Sequence, residues 1–307
     1  MKKKVSFTGL VAAAHTPFKA DGSLNLKAVE RQAEHLARNG IAGVFVGGST
    51  GESASLTVPE RLALAERWAA VLKGGAMPLI VHVGHNSMAD AATLAAQAER
   101  LGAAAISALA PSYFKPGSVA RLVECFEPVV RAAPRTPFYY YDIPSMTGVS
   151  LSVPAFLAEA RRRLPTLAGI KYTCADLMQM QECLRADGGR WDILFGCDEH
   201  LLAGLALGTR GAVGSSYNFA APVYLRLIRA FEAGDLASAR EEQWRSVRLI
   251  RALATLGYMG AAKAVMGMLG VDVGPARAPN GNPAPAQRRQ LRKDLEALGF
   301  FEWIKGK

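Results

Sequence analysis

Eight times along this chain a short apolar run gives way to an amphipathic stretch of helical length, and no other feature restricts the fold so much. The apolar runs, rich in Val, Ile, Ala and Phe, fall at residues 9–13, 43–46, 79–83, 104–108, 138–141, 167–171, 192–195 and 211–214. Helical patterns follow them at 26–38, 59–73, 88–101, 118–132, 153–163, 176–186 and 199–207, and the eighth run leads into one at 222–233. Strands buried on both faces read as continuous apolar runs, and a helix returns the chain to the same edge of the sheet. Eight such units predict an α/β fold, a (β/α)8 TIM barrel, because a doubly wound sheet rarely needs so many.

Local signals agree with this pattern. Thr57, with Glu60 three residues on, forms a capping box in sequence. Pro154 and Pro222 suit first turns of helices. Gly40 and Gly102 stand where a left-handed residue commonly ends a helix. Beyond the barrel, 235–257, 261–268 and 284–298 read as three more helices, with a Pro/Gly-rich stretch at 274–285. We therefore expect a catalytic barrel over 1–233 and a C-terminal three-helix extension over 234–307. No linker is long enough to free the extension, so it packs on the barrel or on a partner subunit.

Several classes of function are disfavoured. No apolar run approaches the roughly 18 residues a membrane helix needs. The formal charge is +10, but the basic residues are scattered, and Arg161-Arg162-Arg163 and Arg288-Arg289 carry no interleaved aromatics. That pattern fits a solvated surface or an anionic small molecule rather than nucleic acid. Four cysteines show no CxxC spacing and five histidines no HExxH pair, so neither a metal nor a disulfide framework is expected. Reduced thiols fit a cytoplasmic protein. The lysines at 2–4 followed by residues 5–14, interrupted by Ser6, Thr8 and Gly9, read as a tail entering the first strand rather than a signal peptide.

In a barrel, chemistry sits at the C-terminal ends of the strands. After the second strand comes Gly47-Gly48-Ser49-Thr50-Gly51-Glu52. Its glycines permit close backbone approach, and its hydroxyls and N–H groups can hold a carboxylate or phosphate; a tight turn would also want them. The fifth strand ends at Tyr141, on the same face as Tyr139. A tyrosine there can move protons, or simply pack. The sixth ends at Lys171, in Gly169-Ile170-Lys171-Tyr172-Thr173. A buried amine favours its neutral form, which attack on a ketone requires; a lysine snorkelling outward is the plainer account. Asp198 and Glu199 open the helix after the seventh strand, where they suit the helix dipole or could accept bonds from sugar hydroxyls. Ser215 to Asn218 follow the eighth strand, either as binding hydroxyls or as a cap.

Taken together, these motifs resemble the pyruvate-dependent aldolases of the N-acetylneuraminate lyase and dihydrodipicolinate synthase superfamily, from Gly9 to about Pro279. The resemblance implies a Schiff-base aldolase without cofactor. Lys171 matches the imine-forming lysine, Tyr141 the proton-moving tyrosine, Ser49 a relay hydroxyl and Thr50 a carboxylate-holding residue. Tyr113 matches a tyrosine that reaches a neighbouring subunit's site, and a homotetramer is implied. Met146 stands where the synthases carry an arginine, and an apolar thioether cannot replace a guanidinium. Asp198, Glu199 and Ser215 instead match the polyol-binding pattern of the sialic-acid lyases, Thr173 matches the hydroxyl that touches the reacting carbon, and Gly196 beside them is a further substrate-binding residue. Asp142 departs from the family, which mostly has Asn or His there. The residues leave open the same chemistry on another 2-keto sugar acid, a dehydratase or synthase variant, and a barrel that binds keto acids without turnover.

Overall fold

In the computed structural model, which describes residues 6–305, eight parallel strands close into a barrel in sequence order. They are β1 (Gly9–Ala13), β2 (Gly43–Val46), β3 (Leu79–His82), β4 (Ala105–Leu109), β5 (Phe138–Asp142), β6 (Leu167–Tyr172), β7 (Asp192–Phe195) and β8 (Gly211–Gly214). β8 returns to β1 with Gly211 opposite Gly9, so the sheet keeps no open edge. The lysines at 2–4 lie outside the described residues.

Side chains alternate across each strand. Leu10, Val44, Ile106, Ile170 and Tyr172 point outward into the shell shared with the helices. Val11, Phe45, Ile80, Tyr139, Tyr141 and Leu194 fill the interior. Helices Val58–Leu72 and Met88–Arg100 cover the shell with Leu64, Trp68, Leu94 and Ala95. Each large apolar side chain so buried stabilises the fold by about 1.5–3 kcal/mol. The expected helix signals operate: Thr57 and Glu60 form a capping box, and Gly40 and Gly102 have φ of 73° and 75°.

The helix after β8 begins at Tyr217 rather than at 222. A break at Ala220 (φ −129°, ψ 19°) separates its first turn from the rest. Pro222 then lies in the first turn past the break, where its missing N–H leaves no bond unmade. The extension comprises Leu236–Ala254, Tyr258–Met268 and Pro285–Leu298, followed by one short turn at Phe300–Trp303. It is tied to the barrel's last helix by Arg226, which donates to both Glu242 oxygens (2.8 and 2.9 Å) and to the Trp303 carbonyl (2.8 Å). Among the described residues no single helix is long and apolar enough to cross a membrane.

Candidate active site

Lys171 and Tyr141 stand directly opposite each other on β6 and β5, both facing the interior. A bulge puts them there. Phe138 pairs with Leu167 but Tyr139 with Gly169, which leaves Ala168 as an extra residue in β6. Gly169 is required at that spot, since a Cβ would lie 1.8 Å from the Asp192 carbonyl oxygen. Lys171 is 4 % exposed, with Nζ 3.8 Å from the Tyr141 ring centroid and 4.1 Å from that of Phe45. Among the described residues it forms no ion pair, and its Nζ lies over these two ring faces. One turn below, the Tyr139 hydroxyl donates to Asp192 (2.8 Å), whose carboxylate also accepts from the Phe7 N–H (3.0 Å). The Phe7 ring packs on Tyr139 and closes the barrel at its N-terminal end.

The turn after β2 brings Ser49 Oγ to 3.4 Å from the Tyr141 hydroxyl. Its glycines answer to close packing: a Cβ on Gly48 would lie 2.5 Å from the Phe45 ring, and one on Gly51 3.0 Å from the Gly47 nitrogen. Thr50 is half-buried on the same turn. Behind it, His82 Nδ1 donates to the Gly47 carbonyl (2.9 Å) while Nε2 accepts from the Leu109 N–H (3.3 Å). Those two bonds fix the tautomer, and the ring meets Tyr141 edge to face at 6.0 Å. Burial, reinforced by the charges of Arg61 and Lys171, holds His82 well below its ordinary pKa and so neutral. Arg61 bridges the carbonyls of His82 and Gly84 at 2.8 Å each. Neither Arg61 nor this role of His82 was legible in the sequence, where the five histidines read only as lacking an HExxH metal-ligand pair.

Thr173, Gly196, Asp198, Glu199 and Ser215 gather at the ends of β6, β7 and β8. Thr173 Oγ1 is buried with no hydrogen-bond partner among the described residues, and a Cβ on Gly196 would lie 1.9 Å from it. Asp198 is engaged within the chain: its carboxylate accepts from Ser216 N (2.8 Å) and Oγ (2.5 Å). Burial pushes its carboxyl up to about 6, against the pull of the Ser216 donors. Glu199 is half-buried with no side-chain bond among the described residues, which makes it the freer carboxylate. Ser215 Oγ shares a 2.8 Å bond with the Tyr258 hydroxyl from the extension.

Two sequence-derived residues lie apart. Tyr113 is 75 % exposed, next to Phe114 at 86 %, on a loop whose N–H groups at Ser112 and Tyr113 donate to Asn86 Oδ1 (2.8 and 3.2 Å). Asp142 faces outward from Tyr141, accepts a 3.2 Å bond from the Tyr140 hydroxyl, and is raised to about 6 by burial. A cavity of 450 Å³ opens beside the rim, lined by Ser49, Glu52, Arg61, His82, Met146 and Met259. The larger one, 810 Å³ between Arg38, Arg226 and Trp303, holds none of the rim residues.

Fold and rim together define a closed (β/α)8 barrel whose C-terminal mouth carries an interior lysine against a tyrosine ring, without an ion pair among the described residues. The chain belongs to the dihydrodipicolinate synthetase family, whose model matches residues 6–298. It is 38% identical over 283 residues to the N-acetylneuraminate lyase of Gallus gallus, covering 91% of this chain and 92% of that protein. To the N-acetylneuraminate lyase of Danio rerio it is 39% identical over 287 residues, covering 92% and 93%. Among solved structures, the Proteus mirabilis N-acetylneuraminate lyase superposes with a TM-score of 0.94 at 40% identity, over 96% of this chain and all (100%) of that one.

Proposed function

We propose that this chain is a carbon–carbon lyase, a Schiff-base aldolase that cleaves N-acetylneuraminate reversibly to N-acetylmannosamine and pyruvate. The observation that carries the reading is the interior lysine: Lys171 Nζ, 4 % exposed and unpaired, lies against the ring of Tyr141, whose hydroxyl meets Ser49. A buried amine is costly unless it is used or paired, and here no carboxylate pairs it.

The residues divide the reaction among them. Thr50 and the N–H groups of its turn hold the substrate carboxylate. Lys171 adds to the C2 ketone of the open-chain acid and water leaves, giving a protonated imine. Tyr141, relayed through Ser49, takes the proton from the C4 hydroxyl. The C3–C4 bond breaks, its electron pair passes into the imine, and the N-acetylhexosamine departs as an aldehyde. The enamine regains a proton at C3, and water releases pyruvate and the free amine. The imine is the electron sink, so the scheme uses no metal or organic cofactor. Glu199, Ser215 and Thr173 Oγ1 are placed to meet substrate hydroxyls; Asp198 acts through Ser216. Met146 offers an amino-acid carboxylate no cationic partner, which favours the lyase over the synthase reaction.

Tyr113 and Phe114, two adjoining exposed aromatics, support a homotetramer in which that loop meets a neighbouring copy. The test of the function is intact mass spectrometry after borohydride reduction, with pyruvate and with N-acetylneuraminate in turn. The reading requires the same pyruvate-mass adduct on Lys171 from both. An adduct from pyruvate alone would move the substrate to another keto acid, and none from either would refute the aldolase chemistry.

A further inference from the structure

The helix Tyr258–Met268 of the extension carries one charged residue, Lys263, among Ala, Gly, Val and Met. That lysine is buried: its side chain is 1 % exposed and its partner Glu52 0 %, with Nζ 2.7 Å from the carboxylate. Nζ also donates to the Pro275 carbonyl at 2.8 Å and lies 4.3 Å from the Phe18 ring centroid. A methionine of similar volume would fill the space at less cost in desolvation, so the pair needs a reason beyond filling.

Glu52 supplies it. It closes the turn that bears Ser49 and Thr50, and it does so in the left-handed region at φ 55°, unusual for a residue other than glycine. Its N–H donates to the Ser49 carbonyl (3.0 Å), and the next residue's N–H donates to that of Gly48 (3.2 Å). Among the described residues the Glu52 carboxylate is gripped only from the extension: by Lys263, by the Arg277 N–H (2.8 Å) and by Asn280 Nδ2 (3.3 Å). Arg277 in turn donates to the Ser55 carbonyl at 2.9 Å and pairs with Glu60. The Ser49–Tyr141 contact, at 3.4 Å, has little slack.

We propose that Lys263 and Glu52 are positioning residues of the aldol reaction: the extension, through this buried pair, sets the conformation of the Ser49–Thr50 turn against Tyr141 and Lys171. This rests on the lyase reading above. The ammonium does not touch substrate. It holds the carboxylate that holds the turn.

The test is Lys263→Met in the full chain, beside Arg226→Met, which breaks the Arg226–Glu242 pair of the same extension without touching the turn. Thermal midpoints are measured for both, with kcat and KM for N-acetylneuraminate well below those midpoints. For Lys263→Met we expect kcat to fall about 10- to 100-fold, the cost of a misplacement of about 1 Å, and KM to rise several-fold as Thr50 loses the carboxylate. Pyruvate trapping by borohydride on Lys171 persists. For Arg226→Met we expect a lowered midpoint with kcat and KM within two-fold of wild type. A merely structural Lys263 would reduce the amount of active enzyme and leave KM unmoved. KM and kcat within two-fold of wild type in folded Lys263→Met, or equal losses in Arg226→Met, overturn the proposal. Where Lys263→Met does not fold, Glu52→Gln runs the same comparison, since it keeps the acceptor for Arg277 and loses only the charge. A wild type that neither traps pyruvate nor cleaves overturns the lyase reading itself, which separates the two failures.

Discussion

Replacing Asp142 by Asn should stabilise this protein at neutral pH and leave it little changed in acid. The side chain closes β5 on the outward face, 3 % exposed, with the Tyr140 hydroxyl as its donor. Burial lifts its carboxyl from the ordinary 3.8 to about 6, and the Tyr140 bond offsets only part of that. The folded chain therefore holds the proton more tightly than the unfolded chain. The carboxyl's contribution is fully present below the unfolded value, near pH 4, and is lost as pH rises through about 6. A shift of about two units at about 1.4 kcal/mol each amounts to about 3 kcal/mol. Asn does not titrate and keeps an oxygen for Tyr140. The gap in thermal midpoint, variant minus wild type, should thus widen from about pH 4 to about pH 7 and then stay level. At roughly 2 °C per kcal/mol for a chain of this size, the widening is about 6 °C. Asp198 titrates in the same window but is present in both proteins, so it cancels. Differential scanning fluorimetry across about pH 4.5–8 reads the gap directly. A constant gap, or one that narrows toward neutral pH, would refute the account of a carboxyl held neutral by burial. Asp142 faces away from Tyr141, so kcat should stay within two-fold.

Other substitutions separate the roles at the rim. Lys171→Met should abolish both cleavage and the borohydride-trapped adduct while the thermal midpoint holds or rises, because it breaks no ion pair and removes a buried amine; a preserved adduct by mass spectrometry would move the imine elsewhere. Tyr141→Phe should still trap pyruvate but lose about 10²- to 10⁴-fold in kcat, the usual worth of a positioned proton-transfer group, measured by steady-state pyruvate release. Glu199→Ala should raise KM for N-acetylneuraminate about 10-fold, the equivalent of one charge-assisted hydrogen bond of about 1.5 kcal/mol, with pyruvate trapping untouched; unchanged KM would mean that the carboxylate does not meet the sugar.

The barrel was legible because its signal is repeated. Eight apolar runs and their helices repeat one pattern, and a boundary error of a residue or two at β3 to β6 alters nothing in the topology. Lys171 and Tyr141 were legible because a polar residue closing an apolar strand stands out, and strand parity places Tyr141 with Tyr139 on one face. The start of the last barrel helix was hidden, since Ser215-Ser216-Tyr217-Asn218 reads as loop and the break at Ala220 leaves no mark in composition. Asp198 and Glu199 look alike in sequence; only the fold shows that Ser216 occupies one and leaves the other. The Lys263–Glu52 pair joins residues 211 positions apart, as 263 − 52 shows, and no local pattern carries such a separation.

The extra residue at Ala168 also decides what chemistry this barrel can hold. Were Ala168 paired within the ladder instead of bulged out of it, Tyr141 would face Ile170 across the sheet, and Lys171 would pair with the outward Asp142. The amine would then be sealed among the helices beside a carboxylate, on the wrong side of the wall from Tyr141. One inserted peptide unit thus works as a phase switch between strands five and six. It brings two residues of opposite parity onto a common surface, where otherwise each could be present and neither could react with the other's substrate. Straightening β6 so that Ala168 entered the ladder would change no reactive group and leave the barrel its full complement of them, yet put half of the pair out of reach.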